Sequence, residues 1–310
     1  MLAAPRRIII YLLMTKPLMI NLHETAAIIV HGGVGGFERD SDGCASAAGC
    51  ARAELDRGND ALAAAIAAVV AMEDDGRFNA GSGAILGLDG ETIEMDAAVM
   101  DSQGRLGAVA CLRRVKNPVL VARDVAASPH RMLCGEGALR FARVGGHADY
   151  YQPSDKAGIV HRALISALAP DAGPFGMLWN YQLPPPEPVR YACDTVGAVV
   201  RDSNGHFGVA ASTGGSAPAL SGRVGDTPLV GSGFYAGKAG AVTVTGQGEQ
   251  IIPHLLAHTV YQWLAEGGAM ENALQRGLGL FASDLDIGII AITAGMAGSA
   301  SRRGMPVTLL

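Results

Sequence analysis

The sequence predicts an α+β fold. Strand-like runs come in groups and helix-like runs in pairs, which is not the strict alternation of a parallel βαβ fold and points to sheets covered by helices. A 49% hydrophobic share over 310 residues supports one large core rather than two independent ones. No internal repeat breaks this organisation.

The chain opens on "MLAAPRRIIIYLLMTKPLM", two arginines before the short apolar run Ile8 to Met14. No small-residue cleavage site follows in "TKPLMIN", so a secretory signal is not expected, and the run is too short to span a bilayer. Residues 1–25 are expected to be a disordered leader, with Met14 or Met19 as alternative starts, and residues 26–310 one domain. "AAIIVHGGVGG" (Ala26 to Gly36) reads as a buried strand entering a glycine turn. "GCASAAGCARAELDRG" and "DALAAAIAAVVAMED" read as Ala-rich helices, the second capped by Asn59 or Asp60. "MDAAVMD" and "LGAVACL" read as neighbouring strands, joined by the turn chemistry of "SQG". "NPVLVARDVAAS" and "GEGALRFARVG" are expected helices. From Asp149 to Ala192 the pattern weakens: seven prolines fall there, and only "AGIVHRALISALA" looks helical. "TVGAVVRDSNGHFGVAAS" then reads as a hairpin with Gly205 in its turn. "AGAVTVTG" is a strand, "EQIIPHLLAHTVYQWLAEG" and "MENALQRGLGLFA" are helices, and "IGIIAIT" is a late strand.

Composition narrows the function. Net charge is −5 and basic residues cluster only in pairs, so nucleic acid is not an expected partner. The five cysteines are odd in number and match no CxxC motif, which suits a reducing, cytoplasmic compartment. Several motifs fail on inspection. "HGGVGG" lacks the GxSxG elbow that a hydrolase oxyanion loop of that type needs. "GSGAILG" and "GSGFYAG" are one residue off the dinucleotide fingerprint and read better as tight turns. His254 and His258 sit one helical turn apart, but Leu255 stands where HExxH needs Glu, so a partly buried structural pair is the better reading.

A set of hydroxyls and charges embedded in glycine remains: Thr195, Thr213, "GRVGD" and "TGQG". Thr195 stands where a Pro-rich run meets a β-branched one. Taken alone it is a strand start. A threonine hydroxyl without a histidine base becomes a competent nucleophile when the residue's own α-amine serves as base, and a free α-amine titrates near about 7.7–8.0, close to what neutral-pH catalysis needs. An internal Thr195 has an amide instead. It becomes competent only if the bond before it is cut, and a Pro-rich stretch ending at a threonine suits such a cut.

With "IIVHGGVGG", "FNAGSGAILGLDGETIEMDAAVMD", "NPVLVAR", "SPHRMLCGEGA", "DTVGAVVRDSNG", "ASTGG", "GRVGDTPLVGSGFYA" and "TGQGE" in order, the chain resembles the plant-type asparaginase and isoaspartyl peptidase family of N-terminal-nucleophile hydrolases, from about Ile28 to about Thr293. The resemblance implies a four-layer αββα sandwich made as an inactive precursor that cuts itself at Asp194–Thr195, giving an α chain 1–194 and a β chain 195–310. It implies Thr195 as nucleophile, with Thr213 hydrogen-bonded to it and Asn79 nearby. Arg223 would grip a substrate α-carboxylate and Asp226 an α-ammonium, with Val224 and Gly225 as the turn between them. Thr245 and Gly246 would form the oxyanion hole, and Gln247 and Gly248 would line the same loop. "MEDDGRFNAGS" resembles a sodium loop whose ligands are mostly backbone carbonyls, here those of Met72, Glu73, Asp75, Phe78, Ala80 and Ser82. No other cofactor is implied. The implied substrates are L-asparagine and β-aspartyl dipeptides, and the implied assembly a dimer of processed units. The chain departs from the family at Gln247, where "TGTG" is usual, at Pro253, which replaces an arginine, before "GRVGD", where a lysine is missing, and in a tail without the common C-terminal strand signature. Rival readings are a glycosylasparaginase, against which "FNAGSG" argues, and an unprocessed, non-catalytic member, against which the intact Thr195, Thr213, Arg223 and Asp226 argue.

Overall fold

The computed structural model describes residues 10–13, 18–22, 26–167, 195–217 and 219–310. Two sheets face each other between helical layers. The first has eight strands: β1 (Ile10–Leu13), β3 (Ala27–His31), β4 (Met95–Asp101), β5 (Leu106–Leu112), β6 (Met132–Cys134), β7 (Val196–Arg201), β8 (Phe207–Thr213) and β13 (Pro306–Leu309), in the spatial order β1-β13-β3-β7-β8-β4-β5-β6. The second has five: β2 (Leu18–Asn21), β9 (Phe234–Gly237), β10 (Gly240–Gly246), β11 (Ile287–Thr293) and β12 (Met296–Ser301), in the order β2-β12-β11-β10-β9. Every pairing is antiparallel except that of β5 with β6.

Three apolar clusters divide the chain into four layers. Ile29, Val199, Val209, Phe234, Ile290 and Ile292 form the seam between the sheets. The outer face of the first sheet packs on α1 (Ser41–Asp56), α2 (Ala61–Asp75) and α3 (Pro118–Ala126). The outer face of the second packs on α7 (Leu256–Ala265) and α8 (Met270–Gly279). α4 (Gly135–Val144) and α5 (Asp155–Ala167) complete the first half, and α6 (Gly248–Ile251) is a single turn after β10. The expected αββα sandwich is the fold observed. Strands buried on both faces read as unbroken apolar runs rather than alternations, as β3 does with all five residues buried. Alanine-rich α1 and α2 approach closely, with Ala47, Ala48 and Ala51 of one and Ala64, Ala65 and Ala68 of the other fully buried.

Local rules hold where expected. Asp60 is the cap of α2, its Oδ1 accepting from the Ala63 amide at 2.9 Å. The β7–β8 hairpin turns at Gly205, whose φ of +80° favours glycine. Asp202 ties this turn down: its Oδ1 accepts from the Asn204 and His206 amides, and its Oδ2 from the Ala61 amide at the start of α2.

Two expectations need correction. The segment 1–25 is not wholly a disordered leader: β1 pairs with β13 and β2 with β12, and Met19 and Ile20 of β2 pack on the cores beside them. The tail, although it lacks the family's common strand signature, supplies β12 and β13. The helix expected over "EQIIPHLLAHTVYQWLAEG" is broken, because Pro253 has no amide to donate; a 3-10 turn over Ile252–His254 and a left-handed Leu255 (φ 44°) separate α6 from α7.

Candidate active site

Strand register brings the glycine-embedded residues together at one end of the sandwich. Thr195 directly precedes β7 and Thr213 ends the neighbouring β8, with Val196 paired to Ser212. Thr245 and Gly246 end β10 on the other sheet. Arg223 to Thr227 lie between β8 and β9 and reach across. One small cavity is lined by Thr195, Thr213, Gly215, Arg223, Asp226 and Gly246, together with Ser216, Gly225 and Thr227.

The Thr195 side chain is buried, and its hydroxyl lies 3.2 Å from that of buried Thr227. Thr227 is the residue that sequence reasoning missed. It directly follows the "GRVGD" motif, and that position is the only hint the sequence holds. Thr213, expected to bond the nucleophile, instead has its hydroxyl oxygen accepting from the Gly215 amide at 3.1 Å. Asn79 fixes the same turn: its Nδ2 donates to the Gly215 carbonyl at 2.6 Å, its Oδ1 accepts from the Ile85 amide, and its own carbonyl accepts from the Gly214 amide. Asn79 therefore braces the cavity wall. Asp194 lies outside the described residues.

Asp226 is fully enclosed, and its Oδ2 has no hydrogen-bond partner among the described residues. Burial pushes its carboxyl up to about 7, against the pull of Arg223. A buried carboxylate oxygen left without a donor is costly unless a ligand supplies one. Arg223 carries the opposite charge. Burial works against its charged form, but Glu249, Asp226 and Asp96 hold its pKa above the usual value. Its Nε and Nη2 form a bidentate pair with Glu249, both at 2.8 Å. That side-on contact uses one edge of the guanidinium. The Nη1 edge points to Gly225, where an added Cβ would lie 2.7 Å away.

Asp96 sits behind this cluster, buried on β4. Its Oδ1 accepts from the Cys111 amide at 2.8 Å and its Oδ2 from the Gly225 amide at 3.4 Å, while burial raises its pKa to about 6. Gly248 is required by close approach: a Cβ there would lie 2.9 Å from Arg223 Nη2 and 3.0 Å from Asp226 Oδ1. Half-buried Val224 and Gln247 are not among the cavity-lining residues. Thr245 is fully buried behind Gly246, and its hydroxyl oxygen accepts from the Val34 amide at 3.4 Å, so the "HGGVGG" turn supports the second sheet's contribution.

A model of the family described as asparaginase matches residues 24–304. The chain belongs to the asparaginase family. Its relatives include an "isoaspartyl peptidase/L-asparaginase" of Danio rerio, 40% identical over 256 residues that make up 79% of this chain and 78% of the relative. A "plant-type L-asparaginase" of Pyrococcus abyssi is 36% identical over 279 residues, 86% of this chain and 89% of that one. An "isoaspartyl peptidase" of Escherichia coli is 37% identical over 265 residues, 81% of each chain.

The loop after α2, which the sequence resemblance marks as a sodium loop, brings backbone oxygens close together. A Cβ on Gly81 would lie 2.6 Å from the Glu73 carbonyl oxygen, and one on Gly83 would lie 2.6 Å from that of Gly76. The Phe78 and Ala80 carbonyls accept single turn hydrogen bonds, from Ala80 and Gly83, and each keeps a second lone pair. Such donors suit a hard cation. Met72 is buried on α2, the Asp75 carboxylate pairs with Arg77, and the Ser82 hydroxyl meets Tyr150. His254 meets Phe281 and His258 meets Tyr235 edge-on, as ring contacts. Among the described residues, no group of three or more His, Cys, Asp or Glu side chains could hold a metal.

Proposed function

We propose that this chain is a self-processing threonine amidohydrolase that cleaves the β-amide of L-asparagine and of β-aspartyl dipeptides. The observation that carries this reading is the pair of Arg223 and Asp226, whose Oδ2 has no hydrogen-bond partner among the described residues, on the wall of the cavity that holds Thr195. A guanidinium and a carboxylate set side by side select a free α-amino acid head. They leave the β-substituent open, so asparagine and isoaspartyl dipeptides share one site. The names of the relatives accord with both activities.

Maturation begins with the Thr195 hydroxyl attacking the Asp194 carbonyl carbon. The peptide C–N bond breaks as the ester forms, the hydroxyl proton passing to the nitrogen and freeing the Thr195 α-amine, and water then cleaves the ester to release the Asp194 carboxylate and restore the Thr195 hydroxyl. The freed amine then takes the Thr195 hydroxyl proton as oxygen attacks the substrate β-carbonyl. Thr227 orients that hydroxyl, and Gly246, with Thr245 packed behind it, would supply the oxyanion hole. The leaving amine departs with a proton, and water hydrolyses the β-aspartyl ester to L-aspartate. Purified protein supplied with L-asparagine and with β-Asp-Leu is expected to release L-aspartate from both. Release from neither would reject the activity.

The state of Asp226 sets a pH dependence. An ammonium binds only the ionised carboxylate, and this carboxyl titrates near 7. As pH falls below that value, KM for L-asparagine is expected to rise roughly tenfold per unit, and Asp226→Asn should lack this acid limb. A KM that is flat across the range would show that Asp226 does not hold the ammonium.

The carbonyls of Met72, Glu73, Asp75, Phe78, Ala80 and Ser82 would hold a sodium ion that stiffens the loop carrying Asn79, with no part in the chemistry. Exchanging sodium for a bulky organic cation should lower Tm, and an unchanged Tm would remove the ion from the account. The processed units pair as a homodimer, which sedimentation would contradict by finding a single αβ unit at micromolar concentration. The free thiols of Cys44, Cys50, Cys111 and Cys134 accord with a cytoplasmic setting. No helix among the described residues is long and apolar enough to cross a membrane.

A further inference from the structure

The nucleophile cavity measures only about 10 Å³, room for about one water. Beside it lies a cleft of about 100 Å³, walled by Ile85, Leu86, Leu88 and Leu220 and by the carboxylates Asp89 and Glu94. The two spaces share Gly215, Ser216 and Arg223 as a common wall. That wall is held in place, because Asn79 pins the Gly214–Gly215 turn from behind. The apolar side is backed by Leu164 and Ala217. Donors hold both carboxylates of the acidic side. Asp89 accepts from Thr92 and from the Glu91 and Thr92 amides, and Glu94 accepts from Arg113, Ser221 and the Gly222 amide.

We infer that this cleft receives the leaving amino acid of a β-aspartyl dipeptide, and that it favours an apolar or cationic residue over an acidic one. The inference rests on the amidohydrolase reading. With the aspartyl head held by Arg223 and Asp226, the β-carbonyl faces Thr195. The atoms beyond the amide nitrogen then run past Gly215 and Ser216, the residues common to both spaces. As the Thr195 oxygen bonds to the β-carbon, the C–N bond breaks, and the nitrogen leaves with the proton from the threonine hydroxyl. For asparagine that nitrogen is ammonia and needs no further space. For a dipeptide it carries a side chain, which the leucine wall desolvates. An acidic side chain there would face Asp89 and Glu94, and like charges brought together this way work against binding.

The test compares kcat/KM for L-asparagine, β-Asp-Leu, β-Asp-Lys and β-Asp-Glu on processed wild-type enzyme, Ala219→Phe and Leu220→Ala. Ala219 lines the cleft with a small side chain, so phenylalanine fills it, while Leu220→Ala strips its apolar wall. In wild type, β-Asp-Leu and β-Asp-Lys should exceed β-Asp-Glu by about tenfold or more. In either variant the ratio of β-Asp-Leu to L-asparagine should fall by about tenfold, chiefly through KM, as expected when a pocket loses its fit to one side chain. If Ala219→Phe fails to process, Leu220→Ala alone decides the matter. Ratios unmoved from wild type, or β-Asp-Glu turned over as well as β-Asp-Leu, would overturn the subsite while leaving the amidohydrolase reading intact. Failure of wild type to hydrolyse L-asparagine would instead remove the reading on which the subsite rests.

Discussion

Thr195→Ala is expected to remain a single uncut polypeptide with no measurable turnover of L-asparagine. The hydroxyl serves twice: it attacks the Asp194 carbonyl to open the chain, and later it attacks the substrate. Alanine makes neither ester, and losing a nucleophile of this kind costs on the order of 10⁶ in kcat. Thr195→Ser keeps the oxygen and should still cut itself. Thr227→Val tests the 3.2 Å contact between the two hydroxyls. It keeps the shape and removes the polar partner, so self-cleavage should slow while the fold survives. Gel electrophoresis over a time course reads all three. Thr195→Ala splitting at the wild-type rate would exclude Thr195 as the cleaving group.

The second large effect is at Arg223. Arg223→Lys should raise KM for L-asparagine by roughly ten- to a hundredfold, the equivalent of about 1.5–3 kcal/mol for a hydrogen bond to a charged group. An ammonium cannot offer one edge to Glu249 and another to a ligand. The guanidinium lies among three carboxylates, Asp96, Asp226 and Glu249, and it is the attraction that the burial of Asp226 works against. Glu249→Gln should raise KM by a smaller factor, because the side-on pair that aims Arg223 loses its charge. Steady-state kinetics on the processed variants checks both. The fraction of chain cleaved should match wild type if the pair acts on substrate alone. Wild-type KM in Arg223→Lys would mean that the α-carboxylate is held elsewhere.

Much of the fold was legible because local and global signals agree. β3, β7, β8 and β11 are largely apolar runs, β10 alternates valine with threonine, and α1 and α2 are alanine-rich, with Asp60 capping α2. Less legible were strands whose residues look like loops. β12 reads "MAGSAS" and β13 "PVTL"; small residues and a proline give little periodic signal, and only pairing with β11 and β3 makes them strands. The same holds for β1 and β2, which exist through their edges. In the site, Arg223, Asp226, Thr195 and Gly246 were found by motif and fell together. What the sequence could not show was pairing across long separations. Glu249 on Arg223, Asn79 on Gly215 and Thr227 on Thr195 are contacts set by the sandwich. Each involves a residue type that occurs on any surface or strand.

The central claim is that the chain makes its own nucleophile by opening the bond before Thr195. N-terminal sequencing of the smaller band from purified wild-type protein tests it most directly. The account predicts two bands, the smaller one beginning Thr-Val-Gly-Ala-Val-Val, from Thr195 onward. A smaller band that begins at any other residue, or a fully active chain that stays whole, would contradict it.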